Sequence, residues 1–247
     1  MNRLRVLATT IRNEGTVNVV RVFYSLRKTL ASEPALLDIE LDKTLRDPFS
    51  VAETVAIRYL LPRLIAKGGW GTTGRGTVLT VSKDSIAQLV TQERKNRELI
   101  EYGYPLLSRY IQATVEVSTQ GAWLPSPSER LSMQVIRVNA DDYRGVDTVE
   151  TLIGHVVISR HAIERYEVYA GTKDMGAAWK SLVRRLNHPD IRQIPLPEKV
   201  IAHKLRKYGR VPEIWRHPTD EVNLLFSPHN SYKQLLTVFT DKQKTTL

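Results

Sequence analysis

Thr16-Val17-Asn18-Val19-Val20-Arg21-Val22-Phe23-Tyr24-Ser25-Leu26-Arg27-Lys28-Thr29-Leu30-Ala31 governs how the N-terminal half of this chain is read. Val19, Val22, Phe23, Leu26 and Leu30 recur at helical spacing, which predicts an amphipathic helix over 16–31. Working outward, Asp47-Pro48 combines an N-cap residue with proline at the first helical position, and predicts a second helix running to Lys67. Pro62 is expected to bend it and Gly68 to end it. Asp84 is placed to cap a third helix over 85–102, with Gly103 as its terminator.

Beyond Gly103 the texture changes. Ile111-Gln112-Ala113-Thr114-Val115-Glu116-Val117-Ser118 alternates apolar and polar residues, the pattern of a half-buried strand. Leu131 to Val138 alternates less strictly. Asp141-Asp142-Tyr143-Arg144-Gly145 is a polar turn and the expected boundary between a part over 1–145 and a part over 146–247. In the second part a strand over 155–159 precedes helices over 160–169 and 176–186. An extended stretch over 192–197, a helix over 198–207 and strands over 221–226 and 234–239 complete it. The expected class is α+β: a mostly helical N-terminal part with a short β region, then helices on a small antiparallel sheet.

With 247 residues and 42% hydrophobic content the chain can fill a real core. No apolar run reaches the roughly 18 residues of a membrane span. The N-terminus makes a poor secretory signal, because Arg12 and Glu14 cut its apolar stretch short. Cysteine is absent, which removes disulfides and thiolate metal sites. These features suit a cytoplasmic protein, or one inside a virion or another assembly. Charge carries the most information: 36 Lys and Arg against 26 Asp and Glu leave a formal net charge of +10. The surplus divides evenly at residue 145 instead of lying in a tail. Such a balance attracts polyanions, RNA or DNA first, and otherwise serves solubility.

Gly69-Trp70-Gly71-Thr72-Thr73-Gly74 matches G-x-G-x-x-G, yet a helix is expected before it and a strand after it, the reverse of the dinucleotide-binding order. Arg75-Gly76 stands where a phosphate loop needs Lys-Ser/Thr. The expectation is a surface loop whose Arg75 could meet a nucleic-acid backbone and whose Trp70 could stack on a base. The six histidines show no metal-site spacing, so no metal and no cofactor is expected. His161 and Arg165, four apart after the capping residue Ser159, share one helix face with Arg160 near its start. A histidine that titrates near neutrality beside a phosphate-holding arginine is the minimum for metal-free RNA cleavage by the substrate's 2′-hydroxyl. The alternative is an ordinary surface helix in which Arg165 pairs with a nearby acid.

Ser159-x-His161-Ala162-x-x-Arg165, a second helix and strands ending in Leu235-Leu236-Thr237-Val238-Phe239 resemble the RelE-like ribonuclease toxins and their BrnT-type relatives. The resemblance covers about 155–240. It implies a helix packed on a curled antiparallel sheet, with His161 and Arg165 in the positions of the family's motif. The chain departs from the pattern one helical turn on, where Val168-Tyr169 replace a basic residue, and in the inserted helix over 198–207. Basic residues interleaved with aromatics follow: Lys180, Arg184 and Arg185 after Trp179, then Lys204, Arg206, Lys207 and Arg210 before Trp215. They form the densest electrostatic signal in the chain and read as a nucleic-acid face, or else as a solvated helix face over buried tryptophans. The function expected is RNA or DNA binding, RNA preferred, with a metal-independent ribonuclease activity. The alternative is a non-enzymatic structural or adaptor component of a large nucleic-acid-containing assembly, a virion or ribonucleoprotein, with other proteins as partners.

Overall fold

The computed structural model describes residues 1–27, 35–93, 96–217 and 221–240. It is mixed α/β, with two six-stranded sheets and seven α-helices among those residues. The chain divides into two compact units, Met1–Val146 and Asp147–Leu247.

The first unit is built on a sheet, which corrects the expected mostly helical N-terminal part. Strands β1 (Asn2–Glu14), β2 (Val17–Arg27) and β3 (Ala35–Asp42) form an antiparallel meander. β4 (Thr77–Val81) joins β1 in parallel, β5 (Thr114–Val117) joins β4, and β6 (Val135–Asn139) joins β3, giving the order β5-β4-β1-β2-β3-β6. The segment expected as a helix over 16–31 is therefore β2, and Lys28–Ala31 lie outside the described residues. The helical spacing arose because β2 is covered on both faces. Val20 and Val22 point into the core under the first helix, while Val19 and Phe23 are buried on the other side, where Arg130 lies over the Phe23 ring at 5.2 Å. A strand buried on both faces loses the period-two signature, and its four valines then favour the extended chain.

Helix α1 (Pro48–Ala66) begins as expected, with the Asp47 side chain accepting from the Ser50 amide at 3.1 Å. Val51, Val55 and Ile57 pack on Leu4, Val6, Val20 and Ile39 of the sheet. The predicted helix over 85–102 is two helices, α2 (Asp84–Thr91) and α3 (Arg97–Leu107). Gln92 enters the left-handed region at φ 61° and closes α2, while Asn96 caps α3. Gly103 does not terminate a helix. It sits inside α3 where a Cβ would fall 2.4 Å from Leu89 Cδ2, so glycine there permits the two helices to approach. A short helix, α4 (Pro127–Ser132), carries a full capping box between Ser126 and Glu129.

In the second unit, β7 (Val149–Thr151) pairs with β8 (Gly154–Ile158), and α5 (Arg160–Ala170) and α6 (Met175–Leu186) follow. β9 (Arg192–Ile194), α7 (Glu198–Tyr208), β10 (Glu213–Arg216), β11 (Val222–Pro228) and β12 (Lys233–Thr240) complete it. The sheet order is β7-β8-β12-β11-β10-β9, and β8 joins β12 in parallel, so the sheet is mixed instead of the antiparallel one expected. Alternation divides the strands cleanly. Leu224, Phe226, Leu235 and Val238 form a buried row, and α5 packs on β12 with Ala162, Ile163 and Tyr166 buried. Asn223, Leu225, Ser227, Ile214 and Arg216 belong to the opposite face.

Candidate nucleic-acid interface

That opposite face carries two cavities. One cavity of about 590 Å3 is lined by Lys204, Arg210, Leu225, Ser227, His229 and Leu236. A second, of about 520 Å3, is lined by Ile194, Val200, Ile214, Arg216, Asn223 and Phe239. Lys204, Pro212 and Leu225 border both, so the two form one groove running between α7 and the sheet.

The first cavity is cationic. Gly209, at φ +67°, ends α7 and turns the chain so that Arg210 points back over the sheet. Arg210 Nη1 donates to Ser227 Oγ at 3.2 Å and lies 3.4 Å from His229 Nε2. The His229 ring stacks on Tyr232 with centroids 4.5 Å apart and 16° between planes, and the His229 amide donates to the Tyr232 carbonyl at 2.8 Å. An anion entering there can accept from the Arg210 guanidinium and from an N–H of the His229 ring. On α7, Arg206 and Lys207 are exposed in the last turn, where cations complement the carbonyl end of the helix.

The residues predicted for a nucleic-acid face fall on different sides of the second unit. Lys204 and Arg210 line the groove, whereas Arg206 and Lys207 are exposed on α7 and line neither cavity. Lys180 and Arg184 are exposed on α6, which packs on α5 and so belongs to the other side of the sheet. Arg185 is engaged inside the helix pair: its Nε donates to the Tyr166 hydroxyl at 2.6 Å, and that hydroxyl lies 2.9 Å from Ser181 Oγ. Arg160 pairs with Glu164 at 2.9 Å. His161 and Arg165 are both exposed on α5, whose first turn is capped by Ser159 accepting from the Ala162 amide at 3.1 Å, but neither lines the groove.

One expectation about the glycine loop is corrected. Trp70 is only 8% exposed and belongs to the core of the first unit, so its faces are not offered to a base. Within the loop Thr73 and Gly74 are packed, while Gly69, Thr72 and Gly76 stay exposed at the surface as expected. A Cβ at Gly74 would fall 2.8 Å from the Ala113 amide, and the Gln112 amide donates to the Thr73 carbonyl at 3.1 Å. Arg75 is exposed at its end. His229, Ser227, Tyr232 and Asn223 were absent from the sequence-based site. The available signal was the turn Pro228-His229-Asn230 joining two strands, with Arg210 following Gly209.

The first unit carries a third cavity of about 440 Å3, lined by Arg3, Arg5, Thr80, Glu116, Gln120 and Trp123. Arg3 already pairs there with Glu116 at 2.5 Å. Among the described residues no group of three or more His, Asp and Glu is placed to hold a metal ion, and no helix is long and apolar enough to cross a membrane.

No family model matches the chain, the RelE-like and BrnT-type toxins included, and no curated protein matches it. Among solved structures, an RNase H1 from the halophilic archaeon Halobacterium salinarum NRC-1 is a weak neighbour. It shares 8% identity over 51% of this chain and 92% of that one, with a TM-score of 0.35.

Proposed function

We propose that the chain binds RNA through the groove side of its second unit. The observation that carries this reading is the groove itself: Lys204, Arg210 and His229 converge on a concave surface whose floor holds Leu225 and Leu236. Cations hold phosphates, and an apolar floor receives the faces of unstacked bases. A groove bordered by a helix suits a single strand with splayed bases, the form in which RNA is most often recognised, better than a stiff duplex. Charge reversal tests it. Lys204→Glu with Arg206→Glu and Lys207→Glu should weaken RNA binding by about tenfold or more, whereas Arg75→Glu should change it less than about twofold. Equal losses would move the interface to the first unit.

A second reading, metal-independent cleavage of the bound strand, draws support from one further feature. His229 and Arg210 stand side by side in one cavity, a proton-transferring group beside one that neutralises charge at phosphorus. The pair His161 and Arg165 has the same chemistry on an exposed helix face, without an enclosing cavity among those described above.

A further inference from the structure

The two halves of the groove differ in chemistry. The cavity beside Arg210 and His229 is suited to an anion. Its neighbour is walled by Ile194, Val200, Ile214 and Phe239, and its polar groups are few. One of them is Asn223, whose side chain is fully buried and whose Oδ1 accepts from Arg216 Nε at 3.0 Å. A buried amide is costly unless paired, and Asn223 is paired with Arg216, which holds that guanidinium at the cavity wall. Lys204 stands where the two cavities meet.

Helix α7 borders both cavities through Lys204, and the second also through Val200. None of its described side chains is buried, and Val200 and Leu205 are 36% and 52% exposed. Pro195 and Pro197 precede the helix and Gly209 follows it. A helix that leaves an apolar face over a cavity has room for a flat apolar body beneath it.

We infer that the groove is a bipartite nucleotide site: a phosphate held by Arg210, His229 and Ser227, and the attached base lodged under α7 against Val200, Ile214 and Phe239, with Arg216, positioned by Asn223, at its edge. The inference rests on the RNA-binding reading for the source of the nucleotide, and it adds that one unpaired base per site is inserted, not merely passed over. The shared chemistry is a nucleoside phosphate, either a residue of an RNA strand or a free mononucleotide.

The test uses the full chain and two short single-stranded RNAs of the same length, one of them abasic at every position. The parent strand should bind about tenfold more tightly than the abasic strand, the scale of one sheltered base. Val200→Trp, a change at a partly exposed helix position that fills the base cavity, should erase that difference while both strands keep the same salt dependence. Arg210→Ala should weaken both strands alike. Nucleoside 5′-monophosphates added as competitors separate the sources: displacement at the strand's own affinity assigns a free nucleotide, and displacement about a hundredfold weaker assigns the strand. Equal binding of the parent and abasic strands, or a base preference that survives Val200→Trp, overturns the base cavity. Loss of all RNA binding at about 50 mM salt strikes the RNA reading instead. The monophosphates alone then decide the site, and their failure to bind would end it.

Discussion

Replacing Glu53 should reveal what holds the first unit's helix to its sheet. Glu53 lies on α1 and is fully buried. Its carboxylate accepts from the Ala8 amide at 2.9 Å and the Ser82 amide at 2.8 Å, and also from the Ser82 hydroxyl. The Ala8 amide is turned to it at the point where the β1–β2 register shifts, between Ala8 and Thr10. Glu53→Ala strands two buried N–H groups at ~1–3 kcal/mol each and opens a void. Relief of the buried charge offsets part of that cost, so the expected net loss is about 3 kcal/mol, a large fraction of a typical domain's stability.

Burial is the dominant influence on this carboxyl and raises its pKa above the ordinary range, against the opposing hydrogen bonds from Ala8 and Ser82. A raised pKa means that the group's stabilising contribution is complete below the unfolded-state value and declines as pH rises through the folded value. Glu53→Gln removes this titration, so the stability advantage of the parent over the Gln variant should grow as pH falls from neutrality. Urea unfolding across pH, with hydrogen exchange of peptides covering residues 2–14 and 77–82, reports the first unit alone. A loss below about 1 kcal/mol for Glu53→Ala, or an advantage over Glu53→Gln that grows towards alkaline pH, would refute the reasoning.

Asp38 should behave in the opposite sense. It is buried on the other face of the sheet, and although burial alone would raise its pKa, hydrogen bonds from Arg21 at 3.0 Å and Arg12 at 2.9 Å outweigh that and hold it low. Asp38→Asn should cost about 2 kcal/mol near neutrality, and the cost should shrink as pH falls through the depressed folded value, read from the same unfolding curves. Trp70→Ala should destabilise the first unit by about 3 kcal/mol while leaving RNA affinity within about twofold, measured by unfolding and binding in parallel. If the groove cleaves RNA, cutting should persist in EDTA and leave 2′,3′-cyclic or 3′-phosphate ends. His229→Ala should then slow it by about a hundredfold, and His161→Ala by less than about threefold, in a gel assay.

Legibility from sequence followed the physics of each segment. Where a boundary is written by a single side chain, it could be read: Asp47 before α1 and Ser159 before α5 both accept the amide three residues on. β2 was misread because both of its faces are buried, and a strand without a solvent face can imitate helical spacing. Trp70 was misplaced because aromatic character does not say which side of a loop is packed. The Arg184-Arg185 step looked uniform, yet only Arg184 faces outward while Arg185 ties Tyr166 to α6. The groove was the least legible feature. Arg210 and His229 are 19 residues apart, and what joins them is the pairing of β10, β11 and β12, which no local pattern encodes.

The salt dependence of RNA binding by the full chain tests the central claim most directly. Lys204 and Arg210 line the groove and Arg206 and Lys207 are carried on the same helix as Lys204, and about four phosphates neutralised on a single strand give a log–log slope near −3. Affinity for a short single-stranded RNA should therefore fall about fiftyfold between about 50 and 200 mM salt, and reversing these four charges should flatten that response. A change smaller than about twofold, or a steep slope that survives the reversal of all four, would contradict RNA binding through this groove.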